Sequence, residues 1–158
     1  MTGSLLTFDI PGIKRCQQNR YPLLFIDRVY DVIPRKQATA VKCFTYNEWF
    51  FPAHFDDDPN VPGFIQLEAL VQTFLMTFLS DDTLSGKKTN FIKVSNMEFK
   101  RKIVPGETLI IRAELKSLRR GIASGNAQGL VDDEPTCRAD LVVAIPDELD
   151  KYKPKSCK

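Results

Sequence analysis

The sequence contains a single histidine, His54, and four widely separated cysteines with no CxxC pair among them. Zinc sites draw on clusters of these two residue types, so no set of zinc ligands can be recognised. Cysteines spaced in this way are typical of free thiols in a reducing compartment. We therefore expect a cytoplasmic protein that binds no metal.

Long apolar runs and an excess of one charge are also missing. The uncharged run from Ala69 to Ser80 has 12 residues, too few to span a bilayer. The opening MTGSLLTFDIPG lacks the basic start and long apolar stretch of a signal peptide. The net charge of +2 is too balanced to indicate nucleic-acid binding. The composition predicts a soluble protein with neither a membrane span nor a nucleic-acid partner.

Helical and strand patterns separate well along the chain. One long helix is predicted from Phe64 to Leu79, because apolar residues cover most of its surface. Strands are predicted at 21–33, 38–45, 88–94, 97–103, 109–116, 122–131 and 137–145. The pattern predicts an α+β fold in one domain, residues 1–146, with one central helix against a mostly antiparallel sheet. The polar tail, residues 147–158, is expected to be solvated.

An acidic residue lies inside the predicted helix. At about 100° per residue, Glu68 falls in the middle of an apolar stripe. An ionised carboxylate buried there costs several kcal/mol unless it is partnered. We expect a raised pKa, a specific partner, or both. The alternative is a helix that begins later or is rotated, so that Glu68 lies at a wet edge near the helix N-terminus, where an acid also favours the helix dipole.

The lone histidine precedes this helix by a short loop. A helix that begins at Gly63, after Pro62, points free backbone N–H groups back toward that loop. A histidine, an acid and a helix N-terminus can together supply a base, an acid and an oxyanion site. This combination suits proton abstraction next to a carbonyl, with a structural role for each residue as the alternative.

The same stretch resembles the signature of the FabZ-type β-hydroxyacyl-acyl carrier protein dehydratases, which have the hotdog fold. The matching elements are His54-Phe55, Pro62-Gly63, Glu68-Ala69-Leu70 and Gln72, with 14 residues from the histidine to the glutamate. Further similarity lies in Arg20-Tyr21-Pro22, Ile26-Asp27-Arg28, Phe99-Lys100-Arg101 and Val104-Pro105-Gly106-Glu107. The resemblance covers residues 20–146 and implies the hotdog fold.

The resemblance also implies a reaction. A 3-hydroxyacyl thioester would lose water to give a trans-2-enoyl thioester, without a metal or redox cofactor. His54 would take the C2 proton, the Gly63 N–H would stabilise the enolate oxygen, and Glu68 would protonate the departing C3 hydroxyl. The substrate tunnel would be formed by Phe55, Pro62, Phe64 and Gln72.

The resemblance further implies partners. The substrate would be carried by an acyl carrier protein or by coenzyme A, and the basic cluster Lys100, Arg101 and Lys102 is a candidate docking patch for an acidic carrier. The alternative is an ordinary solvated strand edge. A homodimer, possibly a trimer of dimers, is expected, with the histidine of one subunit facing the acid of the other.

Two departures from the family pattern lie in the histidine loop, and a third lies at the start of the predicted helix. Ala53 replaces the usual glycine before the histidine, and Asp56-Asp57-Asp58 replaces the usual Pro-Gly after His-Phe. The three acids are expected to favour a positively charged imidazolium and so weaken the base. Phe64 replaces a smaller aliphatic residue and is expected to narrow the tunnel. A non-catalytic acyl-thioester-binding or regulatory hotdog protein, and a hotdog thioesterase, are the alternative functions.

Overall fold

The computed structural model of the protein describes residues 5–154. Its elements in chain order are β1 (Leu6–Phe8), α1 (Ile10–Cys16), β2 (Arg28–Ile33), β3 (Gln37–Cys43), a 3₁₀ turn (Phe51–Ala53), α2 (Gly63–Leu79), β4 (Asn90–Phe99), β5 (Thr108–Arg119), β6 (Ile122–Val131), β7 (Glu134–Ala144) and α3 (Pro146–Asp150). The fold is α+β, as expected.

One seven-stranded sheet organises the chain. Its order is β1-β2-β3-β5-β6-β7-β4, and every neighbouring pair is antiparallel. Buried and exposed residues alternate along β3 and β5, which is the period of a sheet with one covered face. That face wraps α2, which packs mainly on β5, β3, β6 and β7. A long helix held in a curved antiparallel sheet is the hotdog arrangement.

The central helix is buried on nearly all sides from Ala69 to Leu79. At about 100° per residue, Gln66, Thr73 and Thr77 lie on the side of the helix opposite Glu68. This polar side is buried too, since all three residues are at most 4% exposed. The two threonine hydroxyls donate to helix carbonyls, and the Gln66 amide donates to the Val61 carbonyl at 3.1 Å. These bonds satisfy the two hydroxyls and the Gln66 nitrogen in the interior, whereas the buried Gln66 Oε1 has no hydrogen-bonding partner among the described residues.

The strand predictions for the second half were correct except at β4. Two strands, 88–94 and 97–103, were expected, but β4 is continuous from Asn90 to Phe99. Its pairing with β7 shifts register twice, and Asn96 has a positive φ at the second irregularity. The polar Ser95-Asn96 pair therefore marks a β-bulge within one strand, because a bulge adds a residue without ending the ladder.

Both ends of the chain contain structure that the sequence did not predict. Helix α1 begins at an N-cap, Asp9, whose carboxylate accepts from the Gly12 N–H at 2.9 Å. At the other end, the tail expected to be solvated forms α3, and its Glu148 pairs with Lys87. Helix α3 contains no buried residue, so the part of the predicted tail that it includes, residues 147–150, is helical and still in contact with solvent.

Three of the four cysteines, Cys16, Cys43 and Cys137, are free thiols, as expected, and Cys157 lies outside the described residues. Burial raises the pKa of the Cys16 and Cys137 thiols, which disfavours the reactive thiolate.

None of the helices within residues 5–154 has the length and apolar character that a membrane span requires.

Candidate active site

His54 follows the 3₁₀ turn and is held by the end of its own loop. The Asn60 N–H donates to the His54 carbonyl at 2.9 Å, and the His54 Nδ1 lies 3.1 Å from the Asn60 carbonyl oxygen. A carbonyl oxygen can only accept, so Nδ1 carries the hydrogen of this bond. The neutral ring then presents Nε2 as its basic nitrogen.

The three acids after Phe55 do not reach the imidazole. Phe55 and Asp58 exchange two backbone hydrogen bonds of 3.2 Å, which close a tight turn. The Asp58 carboxylate forms an ion pair with Lys102. Among the described residues, none of the three carboxylates hydrogen-bonds to His54. The turn therefore gives the aspartates a role in loop shape, and no direct bond stabilises an imidazolium.

Helix α2 begins at Gly63, directly after the buried residue Pro62. The N–H groups of Gly63 and Phe64 have no acceptor within the described chain, because the first helical bonds to the Pro62 carbonyl come from Ile65 and Gln66. A Cβ on Gly63 would lie 2.9 Å from the Phe99 ring. Glycine therefore allows β4 to approach the helix start, where two free N–H groups are available for an oxyanion.

Glu68 lies on the second turn of α2, partly buried, and two amides hold its carboxyl group. Oε1 accepts from the Gln72 Nε2 at 2.8 Å and from the Asn19 Nδ2 at 3.1 Å. Burial raises the pKa of the Glu68 carboxyl, and the bonds from Gln72 and Asn19 oppose this only in part. Burial therefore favours the neutral acid, which is the form a proton donor requires.

Glu68 opens into an apolar cleft of about 500 Å³. The cleft is lined by Asn19, Leu23, Phe25, Phe64, Leu67, Glu68, Val71, Leu75, Thr89, Phe91 and Val143. His54 is not among these residues, so one chain does not bring the predicted base and acid into the same cleft. Phe64 is 64% exposed at this surface, and Phe55 beside the histidine is 52% exposed. Gln72 is fully buried and supports the cleft from behind.

The basic cluster is only partly available for binding. Arg101 donates to both carboxylate oxygens of Glu107 at 3.1 Å, and Lys102 is paired with Asp58. Lys100 has no hydrogen-bonded or ion-paired side-chain partner within residues 5–154. Two of the three predicted docking residues therefore already have an acidic partner.

Sequence reasoning assigned no place in the site to three residues that shape it, Asn19, Asn60 and Phe99, although Phe99 lies in a stretch that resembles the family. Asn19 lies 49 positions from Glu68 in the chain, and Phe99 is on a different element from Gly63. No spacing or charge pattern links such pairs. Asn60 lies inside the histidine loop, between His54 and Gly63. Its burial, at 9% exposure, distinguishes it from the other polar residues of the loop, and the sequence did not predict that burial.

A FabA-like domain matches residues 18–140 of the chain. The 3-hydroxyacyl-[acyl-carrier-protein] dehydratase FabZ of Listeria monocytogenes is 37% identical over 139 residues, which are 88% of this chain and 96% of that protein. This chain belongs to the FabA-like family. The FabZ of Exiguobacterium sibiricum is 39% identical over 138 residues, covering 87% of this chain and 99% of that protein.

The structural comparison concerns the fold. A chain of the dehydratase heterocomplex ApeI:P from Xenorhabdus doucetiae superimposes with a TM-score of 0.74 at 13% identity, covering 88% of this chain and 95% of that one. At that identity the likeness shows the fold alone. The FabA-like match includes His54, Gly63 and Glu68, and it also includes Asn19.

Proposed function

We propose that this chain dehydrates 3-hydroxyacyl thioesters to trans-2-enoyl thioesters and water, as part of fatty-acid or related acyl-chain synthesis. The observation that carries the proposal is the Glu68 carboxyl, a proton donor at the wall of an apolar cleft. The similarity to curated FabZ dehydratases supports the same reaction. An apolar cleft with one acid suits a substrate with an apolar chain and one reacting hydroxyl group.

Each side chain has a defined task in this proposal. His54 Nε2 removes the C2 proton, since Nδ1 is engaged with Asn60. The free N–H groups at the start of α2 stabilise the enolate oxygen of the thioester. Glu68 protonates the C3 hydroxyl, which departs as water. A proton then passes from the imidazolium to the carboxylate, directly or through solvent, and restores both groups.

We propose that the working site is shared between two chains, in a cytoplasmic homodimer. Strand β4 forms one edge of the sheet, has ten residues and exposes Phe91, Ile92 and Phe99 by about half. A long apolar edge strand needs a partner strand, and a second copy can supply one. Phe91 of this strand also lines the cleft, which this chain's His54 does not line, so we propose that the second copy supplies the histidine.

The carrier is the finer part of the proposal. An acyl carrier protein is acidic, so a positive patch beside the site would attract it. Arg101 and Lys102 have intramolecular acidic partners, so Lys100 is the member of the cluster that can best bind a carrier. Coenzyme A is the alternative carrier, and it does not require a protein-docking patch.

One incubation distinguishes the candidate activities. With a 3-hydroxyacyl thioester, a dehydratase yields the enoyl thioester and a thioesterase yields a free thiol. A binding protein retains the substrate unchanged. His54→Ala and Glu68→Gln should each lower dehydration by roughly 10²–10⁴-fold with the fold intact. Glu114→Gln, which changes an exposed carboxylate on β5, is the matched control and should remain active.

Mixed dimers test where the site is assembled. When His54→Ala and Glu68→Gln chains are refolded together, about half the dimers contain one chain of each kind. One site of such a dimer has both defects, and the other combines an intact His54 with an intact Glu68. About a quarter of wild-type activity should return. No recovery, with mixed dimers confirmed by mass spectrometry, would reject the shared site.

A further inference from the structure

The orientation of the Gln72 side chain is fixed by the backbone. Its Oε1 accepts from the Phe25 N–H at 2.8 Å, and its Nε2 donates to the Leu23 carbonyl at 2.6 Å. A backbone N–H can only donate and a carbonyl can only accept, so the amide has one possible orientation. Nε2 also contacts Glu68 Oε1 at 2.8 Å, and Glu68 Oε1 must therefore be an acceptor.

Asn19 supplies a second donor to the same oxygen, at 3.1 Å. It belongs to the segment between α1 and β2 and lines the apolar cleft together with Glu68. The other oxygen, Oε2, has no hydrogen-bonding partner in the part of the chain described. The two carboxyl oxygens thus lie in different environments, since Oε1 accepts hydrogen bonds from two amides and Oε2 accepts none from the described residues.

We propose that Asn19 is a positioning residue that, with Gln72, holds Oε1 of Glu68 as an acceptor and so places the acid proton on Oε2. This assignment deepens the proposed function and rests on it, because Oε2 is then the oxygen that protonates the C3 hydroxyl. Gln72 also holds the 23–25 segment, whereas the hydrogen bond of the Asn19 side chain is to Glu68 alone. Asn19 is therefore the cleaner residue to change.

Among residues 5–154, Glu68 is the one titratable side chain that lines the cleft. An adjoining cleft shares Asn19, Leu23 and Thr89 with this one, and its lining includes the charged side chains of Arg20, Lys87 and Lys88. Arg20 donates to three backbone carbonyls, and Lys87 pairs with Glu148. The titration of Glu68 is consequently governed by burial and the two amide donors, with Lys88 as the unpaired charge nearby.

Two substitutions test the assignment. Asn19→Ala removes a donor to the ionised carboxyl, so the pKa of Glu68 should rise, and kcat should fall about tenfold with little change in KM. The limb of the kcat/KM profile that reports loss of the Glu68 proton should move to higher pH. Asn19→Asp has the same shape, and its carboxyl donates only when protonated. Its activity relative to wild type at the same pH should therefore recover as the pH falls.

The measurement is a titration of the ¹³C-labelled Glu68 carboxyl by NMR, made alongside the pH–rate profile. Gln18→Ala is the matched control, since the Gln18 amide bonds to the Gly86 carbonyl instead of Glu68. A wild type that does not dehydrate, with a raised Glu68 pKa in Asn19→Ala, would defeat the proposed function and leave the hold of Asn19 on Glu68 intact. The role of Asn19 would be overturned by a second result. In that result Asn19→Ala and Asn19→Asp both dehydrate the substrate, with the same pH–rate profile and the same Glu68 titration as Gln18→Ala. If Asn19→Ala does not fold, Asn19→Asp decides by the same criteria.

Discussion

Replacing Glu68 with glutamine should stabilise the protein at neutral pH while it removes dehydration. Glutamine keeps an acceptor oxygen for the Asn19 and Gln72 donors and puts a neutral NH₂ in place of Oε2. It therefore imitates the protonated acid, which is the form that burial favours at this position. The variant avoids the cost of ionising a partly buried carboxyl group.

The sign of the effect and its pH dependence follow from the direction of the pKa shift. Burial raises the pKa of folded Glu68 above its ordinary value of 4.5. The folded chain then binds this proton more tightly than the unfolded chain, so the stabilisation is complete only below the unfolded pKa. It is lost as pH rises through the folded pKa. Each unit by which the folded pKa exceeds the unfolded pKa is worth about 1.4 kcal/mol of stability, which the wild type loses at high pH and the glutamine variant does not.

The assay is thermal and denaturant unfolding of both proteins from pH 4 to pH 8, at one protein concentration because a dimer is expected. The two curves should coincide near pH 4 and separate as pH rises. A chain of this length should gain about 3 °C in Tm for each kcal/mol. Glu98→Gln is a control of opposite sign, since the Arg138 side chain lowers the pKa of Glu98. A Glu68→Gln protein less stable than wild type at pH 7–8 would refute the reasoning.

Two further predictions concern the carrier and the sheet. Lys100→Glu should raise KM for a carrier-linked substrate at low salt, with little effect on a coenzyme A substrate. Lys116→Glu, an exposed reversal on β5, is its control, and equal effects on both substrates would count against docking. Gly125→Ala should destabilise the fold by about 3 kcal/mol or more in urea unfolding, because its Cβ would lie 2.0 Å from the Glu114 carbonyl oxygen. A loss below about 1 kcal/mol would contradict this account of the β5–β6 contact.

The parts of the fold that were predictable are those with a strong local pattern. The helix expected at Phe64–Leu79 was found at Gly63–Leu79, since a Pro-Gly pair and a long apolar segment mark it clearly. Strands β5, β6 and β7 likewise overlap the predicted strands at 109–116, 122–131 and 137–145, although β7 begins three residues earlier than expected. The sequence did not predict β1 and α1, because elements of three and seven residues are too short to show a repeating pattern of apolar residues.

The site was predictable in its residue types and less so in its contacts. Glu68 in the apolar stripe led directly to its raised pKa, because burial follows from helical periodicity. Its partnership with Asn19 depends on how a distant segment folds over the helix. The ion pair of Lys102 with Asp58 likewise depends on how distant segments fold together. It gives Lys102 of the basic cluster and Asp58 of the histidine loop an intramolecular partner that the sequence did not predict.

The amide of Gln72 joins two parts of the cleft into one mechanical unit. It bonds to the backbone at Leu23 and Phe25, which line the cleft, and also to the carboxyl group of Glu68. A substrate chain that pushes the 23–25 segment outward therefore also pulls the acid out of line. Discrimination between acyl chains should then appear in the turnover rate more than in binding, because a poorly fitting chain is held but misaligned with its proton donor.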